Sequence, residues 1–271
     1  MGAAHARCAT VIFARAPEDE QRAKPLLPSP AGGAQAHAAE LHRKLLERTL
    51  AAAAEVANTD VRLVTTGDLA CARQAALRQV PASRLVVLPQ TGRTFRERFE
   101  AAVREAFDEG YDRVVVLGSD TPELGAAQLA QAFARLAPGS DGSDGAPRSH
   151  AVLGPATDGG YYLLGLSSFS RAPFVDIAFG GPEVAVDTVT ALEHAGFAVS
   201  LLVPLPDIDD LAGVEAAALR LQAHGRPEDA SLLILLLSVL AAARALPWRQ
   251  APHPRSLIEL LPRDCRGPPP A

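Results

Sequence analysis

The sequence lacks the features that would place it among disulfide-rich, zinc-binding or membrane proteins. Its 271 residues include three cysteines, Cys8, Cys71 and Cys265, which lie far apart and form no C-x-x-C pair. This odd and scattered set predicts neither a disulfide framework nor a structural zinc site, and is typical of a reduced, cytoplasmic protein. The N-terminus has no charged-then-apolar signal pattern, and the longest apolar run, Leu232–Ala243, is too short to cross a bilayer. We therefore expect a cytoplasmic protein with no membrane span.

Basic residues are not in excess, and several catalytic signatures are missing. The formal net charge is −5 and the pI is near 5.8, whereas a nucleic-acid-binding face needs an excess of Lys and Arg. Nucleic acid is therefore not an expected partner. The sequence has no G-x-x-x-x-G-K-[ST] loop, no G-x-G-x-x-G fingerprint and no G-x-S-x-G elbow. These absences argue against P-loop NTPases, classical dehydrogenases and serine hydrolases.

The sequence does show an alternation of short apolar segments and helical patterns. Over the first 137 residues this order predicts an α/β fold with a mostly parallel sheet covered on both faces. The region 15–30 predicts a loop rich in charge and proline, and 138–149 predicts a flexible surface loop. The predicted strands are 9–14, 61–65, 85–88, 114–117, 151–153, 161–166 and 197–202, and the predicted helices are 34–56, 69–79, 95–108, 125–136, 182–195 and 210–224.

The chain changes in character after residue 225. Residues 227–246 predict a helix that is apolar on almost every side, and such a helix is buried. It packs either against the core or in the interface of a homodimer. Residues 256–261 predict one more helical turn, and 267–271 (GPPPA) a disordered tail. We therefore divide the chain into a main domain, 1–225, and a C-terminal helical extension with a Pro-rich tail, 226–271.

The strongest signal for a binding site is the segment Val114–Leu124, VVVLGSDTPEL. Asp120 comes just after an apolar strand, and open α/β sheets bind ligands at the carboxyl ends of such strands. Pro122 cannot continue the strand and suits the first turn of a helix. An acidic side chain at this place commonly holds a divalent metal ion on substrate phosphates. The alternative is that Asp120 only caps the next helix.

Cationic side chains follow the first predicted strand. Arg15, Arg22 and Lys24 lie in the loop ARAPEDEQRAKPLLP, and a loop in this place often binds phosphate. The stretch between Arg15 and Lys24 contains no glycine, so a tight backbone nest is not expected. The alternative is a charged loop in solvent.

Two further acidic segments follow later strands. Asp158-Gly159-Gly160 predicts a turn that allows close approach of a ligand to the backbone, or a turn without further role. In Asp207-Ile208-Asp209 the outer carboxylates share one side of an extended segment. This pair offers the second carboxylate that a metal site shared with Asp120 needs. The alternative is that Asp209 or Asp210 caps the following helix.

Three segments together resemble a known family. FARAP at 13–17, GSDTPEL at 118–124 and LGPATDGGYYLLGL at 153–166 resemble the bacterial GT-A-like transferases called DUF2064. Members are labelled glycosyltransferases or radical-SAM/selenodomain-associated transferases, and the family is similar to the nucleotidyltransferases that make molybdopterin dinucleotide and lactyl-guanosine cofactors. The resemblance covers about residues 9–222. It implies a nucleotide-diphospho-sugar transferase fold, a Rossmann-like three-layer αβα sandwich.

The resemblance also implies roles for particular residues. Asp120 would bind Mg²⁺ or Mn²⁺ on the nucleotide phosphates, and Asp209, which matches a late D-x-D motif, is the second metal candidate. Lys24 matches the lysine of the family's first loop. Asp158 would orient the acceptor hydroxyl or act as its base. The implied nucleotide contacts are Arg15, Lys24, Gln90, Gly92, Ser119, Gly159, Gly160 and Tyr161.

The expected function is a metal-dependent transferase of small molecules that uses a nucleotide-activated donor. The first prediction within this class is a glycosyltransferase that uses a nucleotide sugar. A nucleotidyltransferase that releases pyrophosphate from a nucleoside triphosphate would use the same site. A non-catalytic member that binds nucleotide or a partner protein is the second alternative. It is suggested by the first loop, where the family's glycine is absent and Pro25 and Leu26 replace its threonine and arginine.

Overall fold

The computed structural model contains a seven-stranded sheet with helices on both faces. It describes residues 6–24, 26, 32–138, 149–225 and 229–245. The strands are β1 (Cys8–Phe13), β2 (Thr59–Thr65), β3 (Leu85–Pro89), β4 (Arg113–Leu117), β5 (His150–Pro155), β6 (Tyr161–Leu166) and β7 (Ala198–Leu201). The helices are α1 (Pro17–Ala23), α2 (Gly32–Glu55), α3 (Leu69–Ala76), α4 (Phe95–Asp108), α5 (Ala126–Arg135), α6 (Val184–His194), α7 (Leu211–His224) and α8 (Ala230–Ala245).

The strand order is β3-β2-β1-β4-β6-β5-β7, and β6 is the one described strand that runs antiparallel to its neighbours. β1 pairs with β2 on one side and with β4 on the other, both in parallel. The chain places β2 and β3 on one side of β1 and then places β4 on the other side. This reversal creates a topological switch point between β1 and β4. The carboxyl ends of these two strands leave a crevice of the kind that binds ligands in open α/β sheets.

The two faces of the sheet are covered separately because successive strand side chains point to opposite sides. In β4, Val115 and Leu117 pack in one apolar cluster with α2 and α5, while Val114 and Val116 pack in another with α4 and α6. This confirms the predicted three-layer αβα sandwich with a mostly parallel sheet.

The apolar helix α8 packs on the outside of α2 and α7. Leu232, Leu236 and Val239 are fully buried in a third cluster with residues such as Leu41 of α2 and Val214 of α7. The predicted division at residue 225 and the homodimer through this helix stay predictions. None of the helices in the described part of the chain has the length and apolar character needed to span a bilayer. The helical turn predicted at 256–261 and the tail at 267–271 lie outside the described residues.

One local prediction is wrong. The region 15–30 contains the helix α1 at Pro17–Ala23, where a loop is predicted. Pro17 stands at the first turn, where a missing N–H costs nothing, and Glu18, Asp19 and Glu20 lie at the positive end of the helix dipole. The signal P-E-D-E was therefore present, but the segment is too short to show an apolar stripe. Other boundaries shift by a few residues, and residues 139–148 of the predicted surface loop lie outside the described residues.

Candidate functional site

A cavity of about 270 Å³ lies at the switch point between β1 and β4. The end of β1, the end of β4 and the beginning of the antiparallel β6 form its floor through Phe13, Leu117 and Tyr161. Acidic and basic side chains form one part of its lining, and aromatic side chains that contact one another form another. The polar part is formed by Arg15, Glu20, Lys24, His42, Asp120, Asp158, Asp207 and Asp209.

Asp120 lies in this cavity and does not cap a helix. The N-cap of α5 is Gly125, five residues further along the chain. Thr121 and Pro122 are buried, and the carbonyl of Asp120 accepts a hydrogen bond from the backbone N–H of Ile208 at 2.9 Å. The buried neighbours and this bond fix the backbone, so the half-buried carboxylate points from a rigid segment.

The carboxylates of the segment Asp207–Asp210 have two different roles. Asp210 caps α7 by accepting a hydrogen bond from the N–H of Gly213 at 2.8 Å. Ile208 is fully buried and anchors the segment. Asp207 and Asp209, on the opposite side of the extended backbone, both line the cavity. Because Asp210 caps α7, Asp209 is available for the site.

Lys24 connects the two carboxylates that the sequence assigns to metal. Its Nζ donates to Asp120 Oδ2 at 3.0 Å and to Asp209 Oδ1 at 2.5 Å. Burial opposes the charged form of Lys24, but Asp120 and Asp209 outweigh burial and hold the pKa of Lys24 above its usual value. Lys24 is therefore a cation at the pH of any ordinary assay.

The carboxylates outnumber this one lysine. Asp158, Asp207 and Asp209 offer oxygens that all lie within 4.8 Å of one another. Burial, and then the charges of Asp120, Asp158 and Asp209, raise the pKa of Asp207 to about 6. Oxygens on opposite sides of a bound Mg²⁺ lie about 4 Å apart, so small side-chain movements would seat a divalent ion. The donor set fits a hard cation such as Mg²⁺ or Mn²⁺.

Asp158 both makes a turn and belongs to the carboxylate cluster. Its Oδ1 accepts from the N–H of Gly160 at 2.8 Å, which closes the turn before β6. Gly159 has φ +96°, and a Cβ there would lie 2.0 Å from the carbonyl oxygen of Pro182. Glycine is therefore needed for the close packing of this turn on the segment before α6, which holds Asp158 at the cavity.

Three further polar side chains of the lining are Arg15, from the loop between β1 and α1, Glu20 of α1 and His42 of α2. Arg15 Nη1 donates to Glu20 Oε2 at 3.0 Å, so this cation, predicted to bind phosphate, is paired with an acid of α1. His42 is 5% exposed, and burial lowers its pKa. At neutral pH His42 is uncharged, so the cations of the described cavity wall are Arg15, Lys24 and Arg98.

A further part of the cavity lining is aromatic. Phe13, Phe95, Phe99, Phe179 and Tyr161 form a group in which neighbouring ring centroids are 5.3 to 6.4 Å apart. Phe95, at the beginning of α4, is 41% exposed. Burial raises the pKa of the Tyr161 phenol, which therefore stays protonated. An exposed aromatic ring beside a cavity offers a face on which a planar group can stack.

Gln90 lines the cavity, but its side-chain amide is already hydrogen-bonded to other groups of the protein. Its Nε2 donates to the carbonyl of Ala14 at 3.1 Å, and its Oε1 accepts from Arg98 Nε at 3.2 Å. Gly92 has φ +129° and packs against the beginning of α4, outside the cavity wall. The structure thus brings together most of the predicted site and leaves out Gly92 and Gly159. The predicted residues that line the cavity are Arg15, Lys24, Gln90, Ser119, Asp120, Asp158, Gly160, Tyr161 and Asp209.

Several lining residues were not predicted. Asp207 had a signal in the Asp-Ile-Asp spacing, which places it on the side of Asp209. His42 and the phenylalanines had none, because they lie on separate parts of the chain and each is of an ordinary core type in the sequence.

Comparison with known proteins agrees with the motifs. The family model described as an uncharacterized protein conserved in bacteria (DUF2064) matches residues 49–181, just under half of the chain. The predicted resemblance to DUF2064 is confirmed. The DUF2064 match includes Asp120 and Asp158, and it stops short of Lys24 and Asp209 on either side. Among curated proteins, none matches the chain.

Solved structures share the fold. A protein of Desulfovibrio desulfuricans G20, provisionally named a nucleotide-diphospho-sugar transferase, is 26% identical with a TM-score of 0.69, over 88% of this chain and 97% of that one. It supports the predicted nucleotide-diphospho-sugar transferase fold for this chain.

Two more distant structures are also transferases by name. A cytidylyltransferase of Leptospira borgpetersenii is 13% identical (TM-score 0.49; 90% and 99% covered). A mannosyltransferase of Pyrobaculum calidifontis, in complex with GDP-Man and Mn²⁺, is 16% identical (TM-score 0.43; 90% and 77% covered). Both TM-scores are too low for these likenesses to bear on function.

Proposed function

We propose that this protein is a divalent-metal-dependent transferase that uses a nucleotide-activated donor, with a nucleotide sugar as the first candidate. The observation that carries the proposal is the contact of Lys24 with Asp120 and Asp209 at the switch point, beside the carboxylates of Asp158 and Asp207. This arrangement combines a cation for phosphate with oxygen ligands for a metal.

The acidic side chains would hold the metal ion. Asp120 and Asp209 are its proposed ligands, with Asp207 close enough to assist. A bound Mg²⁺ or Mn²⁺ would neutralise the donor's phosphates and stabilise the leaving group. Lys24 and Arg15 would bind phosphate oxygens as charge-assisted donors.

The remaining wall would position donor and acceptor. Asp158 would orient the acceptor hydroxyl or accept its proton. Ser119, Gly160 and Tyr161 line the same cavity and would contact the donor. The exposed face of Phe95 offers a stacking surface for a planar group such as a nucleobase. Gln90 would act indirectly, by holding the wall between Ala14 and Arg98.

The test is calorimetric titration of UDP, GDP, CDP and ADP, their triphosphates and the matching nucleotide sugars. Each is titrated with Mn²⁺ and with chelator. We expect one nucleotide to bind only with metal, and Asp120→Asn to weaken that binding at least tenfold. Asp112→Asn is the matched control, because Asp112 precedes the opposite end of β4 and makes a hydrogen bond that asparagine can keep.

Product analysis then separates the reactions. Transfer of the sugar from the bound nucleotide sugar would support a glycosyltransferase, and pyrophosphate release from a triphosphate would identify a nucleotidyltransferase. If no nucleotide binds with metal, the transferase proposal is wrong. The non-catalytic alternative, with a partner protein, would then be the one to pursue.

A further inference from the structure

We propose that Lys24 is an internal counter-ion that occupies the metal carboxylates until the nucleotide arrives. Lys24 then transfers to the nucleotide's phosphates, so that metal and nucleotide bind as one unit and the metal–nucleotide complex is the true substrate. This inference rests on the proposed function of the site.

The first step of the argument is competition for the same oxygens. Lys24 Nζ lies within hydrogen-bond distance of Asp120 Oδ2 and Asp209 Oδ1, and these two carboxylates are the proposed metal ligands. Two like charges on shared oxygens repel strongly in a partly buried site. A metal ion that takes both carboxylates must therefore displace the Lys24 ammonium.

The second step is what displacement costs Lys24. Its side chain is 32% exposed, so the ammonium would lose two ionic partners while remaining partly shielded from water. Glu20 of α1, which also lines the cavity, is already paired with Arg15. The phosphates of a nucleotide bring negative charge to the cavity and give Lys24 a replacement partner.

The consequence is a coupling between two ligands. Metal alone would displace Lys24 without bringing a new anionic partner for it and should bind weakly, whereas metal with a nucleoside diphosphate exchanges one set of ionic partners for another. The coupling is reciprocal, since each ligand raises the affinity for the other by the same factor. If Lys24 served only to bind phosphate, its replacement would leave the affinity for metal alone unchanged.

The test compares Lys24→Met, Lys24→Arg and the control Lys44→Met. Lys44 is the other lysine in the sequence and pairs with Glu47 on α2. Mn²⁺ binding is measured by electron paramagnetic resonance, without and with the nucleoside diphosphate that binds best. We expect Lys24→Met to bind Mn²⁺ alone about tenfold more tightly than wild type, and its coupling factor to fall about tenfold, within the usual range for linked sites. Lys24→Arg and Lys44→Met should bind Mn²⁺ alone as wild type does.

A second readout follows Lys24 in the unmodified chain. With ¹⁵N-lysine, the two side-chain ammonium resonances are resolved by NMR and assigned with Lys44→Met. Stoichiometric Mg²⁺ alone should leave the Lys24 resonance in place, and Mg²⁺ with nucleoside diphosphate should shift it. If Lys24→Met binds Mn²⁺ alone no more tightly than wild type, or if the resonance does not move with both ligands, the inference is wrong while the transferase proposal stands. If wild type binds neither ligand, both are wrong.

Discussion

The carboxylate of Asp207 lies near three other acids of the cavity lining. Burial, together with the charges of Asp120, Asp158 and Asp209, raises its pKa from 3.8 to about 6. A raised pKa means that the folded state holds the proton to a higher pH than the unfolded chain does. The contribution of Asp207 to stability therefore falls as the pH rises from about 4 to about 6, and stays unfavourable above.

Asp207→Asn should remove this penalty, because the amide carries no charge at any of these pH values. In metal-free buffer we expect the variant to unfold at higher urea than wild type at pH 8, and by a clearly smaller margin at pH 4.5. Urea unfolding at both pH values measures the two margins. Asp108→Asn, at an exposed position of α4, controls for the loss of one negative charge. An equal margin for Asp207→Asn at both pH values would contradict the crowding of carboxylates.

At the scale of elements, the segment that carries Asp120 is held by the helices behind it. Arg48 of α2 donates from Nη2 to the carbonyl of Pro122 at 3.1 Å, and its Nη1 lies 2.7 Å from Asp229 at the beginning of α8. Arg220 of α7 pairs with Glu123 at 2.6 Å. These bonds connect the Asp120 segment to three helices and explain how an irregular segment is held rigid.

Arg48→Met should be strongly destabilising, because it removes one partner of a pair whose side chains are 19% and 7% exposed. Breaking such a buried pair costs about 3 kcal/mol. Arg244→Met is the matched control: its pair with Glu215 is exposed and 3.9 Å long, and its loss should cost less than about 1 kcal/mol. Urea unfolding of the three proteins measures both, and similar losses would show that Arg48 has no anchoring role.

Elements also show where local patterns mislead. The helix α1 is seven residues long, so it lacks the repeated apolar positions by which longer helices are recognised. The capping role of Asp210 was one of two readings, because Asp209 and Asp210 both suit an N-cap by residue type. The choice between them follows from the burial of Ile208, which sets the side of the backbone on which each carboxylate lies.

At the scale of the whole molecule, the described residues form three apolar clusters, and α8 belongs to the third. We expect the helices of this cluster to unfold together with the sheet. Leu236 is fully buried there, while Ile234, on the outer side of the same helix, is 64% exposed.

Leu236→Ala should therefore lower the free energy of unfolding by about 2–5 kcal/mol in a single transition. Ile234→Ala should change it by less than about 1 kcal/mol, because little apolar contact is lost. Urea unfolding measures both variants when it is monitored by circular dichroism and by near-UV signals that do not come from tryptophan. A main transition unchanged by Leu236→Ala would show that α8 is an independent extension.

The fold class and the centre of the site could be predicted from the sequence because both depend on local patterns. Alternating strands and helices indicate a parallel α/β sheet, and an acidic residue just past the apolar strand Val114–Leu117 lies at a ligand-binding edge wherever that strand sits in the sheet. The same reasoning predicted Asp158, in the turn before a strand, and Asp209, just after a later strand, as residues of the site.

The assembly of the site depended on strand order and helix packing, which no local pattern contains. Lys24 meets Asp120 and Asp209 across 96 and 185 residues of chain, because β1 and β4 are neighbours and the segment after β7 returns to the Asp120 loop. The aromatic wall and His42 come from elements that meet at the cavity in three dimensions alone. Side chains of ordinary core type become site residues there because the switch point leaves a crevice that the two layers of helices do not fill.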